Sequence, residues 1–180
     1  MTTLRTASAA GIEGVVGLAA AGDETAFARL VAEFHPIMTR VAYAIAGDPD
    51  VAADAVQAAW TIAWRRLAGL RDHSQVRSWL VAIAANEARQ VLRRQQRRSV
   101  VELRVEEPDH PGDPGERIEA VDLARVLRGL APDDRTLLAL RFVGGLESAE
   151  IADRLGLSAS GVRSRLARLL DRLRNELDHA

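Results

Sequence analysis

Residues 145–174 read GLESAEIADRLGLSASGVRSRLARLLDRLR, and their spacing predicts two helices joined by a tight turn. Ile151, Ala152 and Leu155 form the inner side of a short first helix. Gly156 supplies the left-handed residue that ends it, Leu157 plugs the turn, and Ser158 caps the next helix. Val162, Leu166, Leu169, Leu170, Leu173 and Leu177 recur at helical spacing as one apolar stripe. Arg165, Arg168 and Arg172 fall on a different arc, with Ser164 beside them and Arg163 on the far flank. A short first helix, a glycine-containing turn and a basic second helix are what insertion into a DNA major groove requires. Taken alone, the stretch also fits a helical hairpin with a solvated arginine face.

Composition narrows the class. The chain has 180 residues, enough for one domain or two small ones. Hydrophobic residues make up 48% but aromatics only 4%, so the cores are aliphatic and alanine-rich, which favours helix. The formal net charge is −1, and only its clustering points to a nucleic acid: arginines crowd the second helix while carboxylates lie elsewhere. All the basic residues are arginine, which codon bias explains and which carries no functional weight. There is no cysteine, so a disulfide framework, a thiolate metal site and a cysteine nucleophile are excluded. His35, His73, His110 and His179 are scattered without ligand spacing, and no metal or cofactor is expected. No run approaches the roughly 18 apolar residues of a membrane span. Residues 1–24 read as a loose tail, without the positive start and hydrophobic region of a leader, in a cytoplasmic protein.

Two folded blocks are expected, both helical. The first spans 25–98. Phe27, Leu30, Val31 and Phe34 set a helical period that resumes after Pro36 with Ile37, Val41, Tyr43, Ala44 and Ile45. Gly47-Asp48-Pro49-Asp50 signals a turn, with Asp50 placed to cap the next helix. Val51 to Leu67 continues helically. Val51, Ala55, Ala58 and Ile62 line one face, and Asp54, Gln57, Thr61, Trp64 and Arg65 lie mainly away from it. Gly69 to Ser74 is a polar break, and Arg77 to Arg97 is a long helix. Residues 99–117 form an acidic linker. Pro108, Pro111, Pro114, Gly112 and Gly115 deny it regular structure, and it can reach about 60 Å at roughly 3.3 Å per residue. The second block, 118–180, opens with a helix through Val121, Leu123, Val126, Leu127 and Leu130. Leu137 to Phe142 follow, before the helix-turn-helix. No strand alternation competes with helix anywhere.

A second basic surface closes the first block. Arg89, Arg93 and Arg97 sit at i, i+4 and i+8, with Arg94 and Arg98 alongside. Trp79 and Asn86 lie two turns apart on the same helix. A basic helix after a polar loop can hold a nucleic-acid strand by its phosphates while the loop handles a base. A solvated helix end favoured by the helix dipole fits the stripe equally well. Two arginine-faced helices in two linked blocks favour one nucleic acid contacted at two places.

With these residues in view the chain resembles a sigma factor of bacterial RNA polymerase, of the small two-domain extracytoplasmic-function (ECF) group. The resemblance covers residues 25–177. In the first block it rests on Asp48-Pro49, Ala53-Asp54-Ala55-Val56-Gln57, Trp64-Arg65, and Arg77-Ser78-Trp79-Leu80 with Ile83-Ala84 and Asn86. In the second it rests on residues 137–141, Glu150-Ile151-Ala152, Leu155-Gly156 and Val162-Arg163-Ser164-Arg165-Leu166. The chain departs from the family pattern at Ala53, where an acid is usual, at Trp60 for phenylalanine, at Gly161 for threonine, and at Glu147 for a capping serine. The family implies core polymerase binding through Asp54, Gln57, Trp60, Trp64 and Arg65. It implies capture of an unstacked base of the −10 element by Arg71, Asp72, His73, Ser74 and Gln75. Asn86, Arg89, Arg93 and Arg97 would lie alongside that base. It implies reading of the −35 duplex by Ser160, Arg163, Ser164, Arg165 and Arg168. The implied partners are core RNA polymerase (clamp and flap), promoter DNA and an anti-sigma factor, with no membrane insertion.

Three other readings stay open on sequence. One is a DNA-binding regulator using only the C-terminal block, which leaves Trp79 to Asn86 unexplained. Another is a sigma-like interaction module that reads no promoter, which the departures at Ala53 and Gly161 allow. An enzyme is disfavoured, because no nucleophile, base and orienting partner occur in recognisable spacing.

Overall fold

A computed structural model describes residues 3–101 and 129–178, with side chains described for 11–95 and 129–176. The greater part of the expected linker and the helix through Val121 to Leu127 lie outside the described residues, as do the side chains of Arg97 and Leu177. The described residues are helices and short turns.

Helix α1 spans Thr3–Ala20, where a loose tail was expected. Gly11, Gly14 and Gly17 lower its intrinsic helicity, but burial of Val15, Val16 and Ala19 overrides that weakness. Helix α2, Glu24–Ala46, starts at Asp23, whose carboxylate accepts the Ala26 amide at 2.9 Å. It runs through Pro36 without a break. A proline inside a helix forfeits one backbone hydrogen bond, and buried Leu30, Phe34, Ile37, Met38 and Val41 hold both sides of the site against the core. Helix α3 is Pro49–Arg66. Its cap is Asp48, not Asp50: Asp48 accepts the Val51 amide at 2.9 Å, and Pro49 takes the first turn, where no amide is needed. The buried face of α3 is Ala52, Ala55, Val56, Ala59 and Ala63, one position round from the face centred on Val51, Ala58 and Ile62. Those three are half-buried flanks. The run of small alanines lets α3 pack closely on α2 and α4. Helix α4, Val76–Val101, absorbs residues 99–101 of the expected linker. Helices α2, α3 and α4 pack on one another, and α1 lies across α2 and the turns at 67–69 and 73–75.

The second block comprises α5 (Pro132–Leu138), a π-helical turn (Ala139–Val143), α6 (Ser148–Leu155) and α7 (Ala159–Asp178). Leu137, Leu140, Leu146, Ile151, Val162, Leu166, Leu169 and Leu173 fill its centre. This block is not held apart from the first. Helix α5 and the π turn lie on α2 and α4, and one buried apolar cluster is continuous through both blocks. Gly144 sits at the join. A Cβ there would stand 2.8 Å from the Leu140 carbonyl and 3.1 Å from Val81 of α4. Arg135, buried, donates to the Ile45 carbonyl at 2.8 Å and the Leu130 carbonyl at 3.2 Å. The Ile45 oxygen belongs to the last turn of α2, which has no intrahelical donor and carries the negative end of the helix dipole.

Candidate nucleic-acid and polymerase interfaces

Helices α6 and α7 form the helix-turn-helix. Glu147 precedes α6, and its amide donates to the Glu150 carboxylate at 2.7 Å, a reciprocal start that replaces the usual serine. Arg141 braces the same loop, donating to the Leu146 carbonyl at 3.0 Å and pairing with Glu147 at 2.7 Å. Gly156 ends α6 at φ 67°, ψ 35°, a conformation costly for any residue with a Cβ. The Ser158 hydroxyl accepts the Gly161 amide at 3.0 Å and caps α7.

Two apolar expectations fail here. Leu157 is 46% exposed rather than plugging the turn, and Leu170 is exposed rather than in the stripe. The buried stripe narrows to Val162, Leu166, Leu169 and Leu173 because the block has only one face to pack against. Ser160, Arg163, Ser164, Arg168 and Arg172 are exposed together on the outer surface of α7. Arg165 departs from them. Its guanidinium is held 2.7 Å from the Asp134 carboxylate at the start of α5.

On α4, Arg89 donates to the Asn86 side-chain oxygen at 2.6 Å, so these two form a unit. Arg89 and Arg93 both face Asp133, at 3.5 and 2.6 Å. The loop before α4 separates its five candidate residues into two sets. Arg71, Asp72 and Gln75 line an open cleft of about 1080 Å³, with Arg65, Arg66 and Trp79. Ser74 turns back, its hydroxyl donating to Asp72 at 2.6 Å and its amide at 3.0 Å. That hydroxyl holds the Asp72 carboxyl below the usual carboxylate range. The His73 ring lies against Gly17 of α1, 3.5 Å from where a Cβ would stand, and faces away from the cleft. The opposite wall of the cleft is α6, through Ala149, Glu150, Asp153 and Arg154. Arg154 donates across it to Gln75 at 2.7 Å and Ser78 at 3.3 Å.

The outward face of α3 presents Asp54, Gln57, Trp64 and Arg65. Trp60 is drawn inward. Its indole N–H donates to His35 Nδ1 at 3.2 Å, and its ring meets Phe27 edge-on at 5.6 Å. Trp64 also packs edge-on against Phe27, at 4.8 Å, yet stays 42% exposed.

Sequence reasoning missed Asp133, Asp134, Arg135 and Arg154. Acids at a helix start read as dipole complements, and no spacing rule pairs position 133 with positions 89 and 93. Among the described residues no group of three or more histidines or carboxylates is placed to hold a metal. Nor is any helix among them long and apolar enough to cross a membrane.

A polar loop beside a basic helix in one block, and a helix-turn-helix in the other, define a two-part nucleic-acid-binding factor. Comparison with known proteins gives the class. The profile described as Sigma-70 region 2 matches residues 30–98, and that described as Sigma-70, region 4 matches residues 120–173. The chain is 30% identical to the RNA polymerase sigma-E factor of Streptomyces coelicolor, over 87% of this chain and 88% of that protein. It is 32% identical, over 88% of its own length, to the Xanthomonas campestris protein named "Probable RNA polymerase sigma factor RfaY", and spans 42% of that longer relative. The solved structure of CnrH in complex with the cytosolic domain of CnrY superposes with a TM-score of 0.67 at 26% identity, covering 93% of this chain and 97% of that one. The chain belongs to the sigma-70 family and is an ECF-type sigma factor, the class that directs RNA polymerase to promoters.

Proposed function

We propose that this sigma factor divides promoter recognition between three surfaces. The outward face of α3, with Asp54, Gln57, Trp64 and Arg65, binds the core polymerase clamp. Trp60 holds that face in place from behind. The cleft lined by Arg71, Asp72 and Gln75 takes an unstacked base of the −10 element. Flipping a base costs a few kcal/mol, and a walled polar cleft with Trp79 at its side is suited to offset that cost. Asn86 orients Arg89, and Arg89, Arg93 and Arg97 follow the strand by its phosphates. The exposed face of α7, with Ser160, Arg163, Ser164 and Arg168, enters the major groove at the −35 element, and Arg165 joins them once released from Asp134.

The observation that carries this reading is the polarity of α7. Val162, Leu166, Leu169 and Leu173 are buried on one side, while arginines and serines stand exposed on the other. A helix anchored in this way can enter a groove without giving up its own core. RNA synthesis itself belongs to the polymerase, and the chain acts where polymerase and promoter are, in the cytoplasm. The neighbour CnrH is solved in complex with the cytosolic domain of CnrY, which supports a protein partner of the anti-sigma class for this chain too. The decisive test is run-off transcription from a promoter library with purified core polymerase. Selection of a paired −35/−10 motif supports the reading. DNA binding that is independent of polymerase, with no selected initiation, overturns it.

A further inference from the structure

Asp133 and Asp134 are neighbours at the start of α5, and each faces an arginine from a different recognition surface. Asp133 meets Arg93 at 2.6 Å and Arg89 at 3.5 Å on α4. Asp134 meets Arg165 on α7, with Nε and Nη2 both 2.7 Å from one oxygen. Guanidinium groups meeting anionic oxygens at these distances are what arginine–phosphate recognition looks like. Acids in a first helical turn are favoured by the dipole, which accounts for the residue type but not for arginines converging from two blocks. The Asp134 side chain is only 14% exposed, so this pair is screened less than a surface pair. Arg135, next in sequence, pins α5 to the end of α2, which fixes where the two carboxylates stand.

We propose that Asp133-Asp134 is an internal decoy for DNA phosphate. In the closed chain the two carboxylates occupy Arg89, Arg93 and Arg165 at once, and the Asp133 pairs tie the second block to α4. Arg163, Arg168 and Arg172 remain exposed on α7 and make the first contact with DNA. Competing phosphates then displace the aspartates and part the blocks. The proposal rests on the assignment of these arginines to DNA.

The chain has no cysteine, so cysteines introduced at exposed Ala53 and Ala167 can carry a fluorescent pair. Three versions of the full chain are compared with the parent: D133N/D134N, the charge-matched control E33Q/D50N, and R168A. The probe is a mixed-sequence DNA duplex a few helical turns long. D133N/D134N is expected to lengthen the inter-label distance and bind the duplex roughly tenfold more tightly, while the control changes neither. In the parent, raising salt from about 50 to about 500 mM is expected to lengthen the distance by screening the partly exposed Asp133–Arg93 pair between the blocks. D133N/D134N is expected to show no such response. Tighter binding by the control, or a salt-insensitive distance in the parent, overturns the decoy. If R168A weakens binding but D133N/D134N matches the parent, the decoy alone falls. If R168A binds like the parent, the assignment of these arginines to DNA falls with it.

Discussion

Arg168 and Arg165 lie close together on α7 and yet differ in availability. Arg168 is exposed, whereas Arg165 is engaged by Asp134 at 2.7 Å. Losing one bidentate base contact costs about 1–3 kcal/mol. Arg168→Ala is therefore expected to weaken −35 recognition by roughly 5- to 150-fold and leave core binding unchanged. Transcription measured across upstream-element variants checks this, and an unaltered preference would remove Arg168 from the readout. At the cleft, Ser74 donates to Asp72 and lowers its pKa. A lowered folded value means the Ser74–Asp72 turn contributes its full stability above the ordinary aspartate range. That contribution is lost as pH falls through the lower folded value. At neutral pH Asp72 thus stays charged beside the cleft arginines. Replacing Ser74 by alanine is expected to raise the Asp72 titration midpoint toward its ordinary value in carboxyl NMR. No movement on substitution would mean the hydroxyl is not the cause.

Among the elements, α3 shows how one helix serves two tasks. Its alanine face packs into the bundle, and its polar face stays open with Asp54, Gln57 and Arg65. Substitutions of exposed side chains away from packed features usually change stability by no more than about 0.5 kcal/mol. Reversing charge at Asp54 and Arg65 is thus expected to abolish co-purification with core polymerase while thermal unfolding stays near the parent's. Normal co-purification would place the polymerase contact elsewhere. The π turn and Gly144 form the joint between α5 and the helix-turn-helix. Gly144 has an ordinary backbone, φ −70°, so space rather than conformation demands glycine there. A methyl group would press on the Leu140 carbonyl and Val81 together. Gly144→Ala is expected to cost about 1–3 kcal/mol, as over-packing usually does. Chemical denaturation measures the loss, and an unchanged midpoint would show that the backbone there yields freely.

On the scale of the whole molecule, the two blocks share one apolar core and are tied by Arg135 to the end of α2 and by Arg154 to Gln75. Removing Arg135 leaves the Ile45 and Leu130 carbonyls without its donors, at about 1–3 kcal/mol for buried groups left unpaired. Arg135→Ala is expected to loosen the pairing of the blocks and raise the radius of gyration in small-angle scattering. Each block should keep its helical circular dichroism. Identical scattering curves would mean the apolar contact alone holds the blocks.

The helix-turn-helix was legible because its signals are local. Gly156 and Ser158 end and start helices within a few residues, and a stripe at 3.6-residue spacing marks a buried face. The exposure of Asp54, Gln57, Trp64 and Arg65 on α3 was legible for the same reason. Helix α1 was not, since its glycines argue against helix and only burial of Val15 and Val16 reverses that. The cap at Asp48 rather than Asp50 depended on where the chain turned. His73 and Trp60 looked like surface recognition residues until α1 and Phe27 were brought beside them. By itself, then, the sequence determined two helical recognition modules and the family they belong to, because periodicity, caps and motif order are short-range. Only the tertiary structure decided that Asp133 and Asp134 meet Arg89, Arg93 and Arg165, and that α6 walls the cleft. Those contacts join residues some 30 to 80 positions apart, and their pairing follows from shared apolar burial that no local pattern encodes.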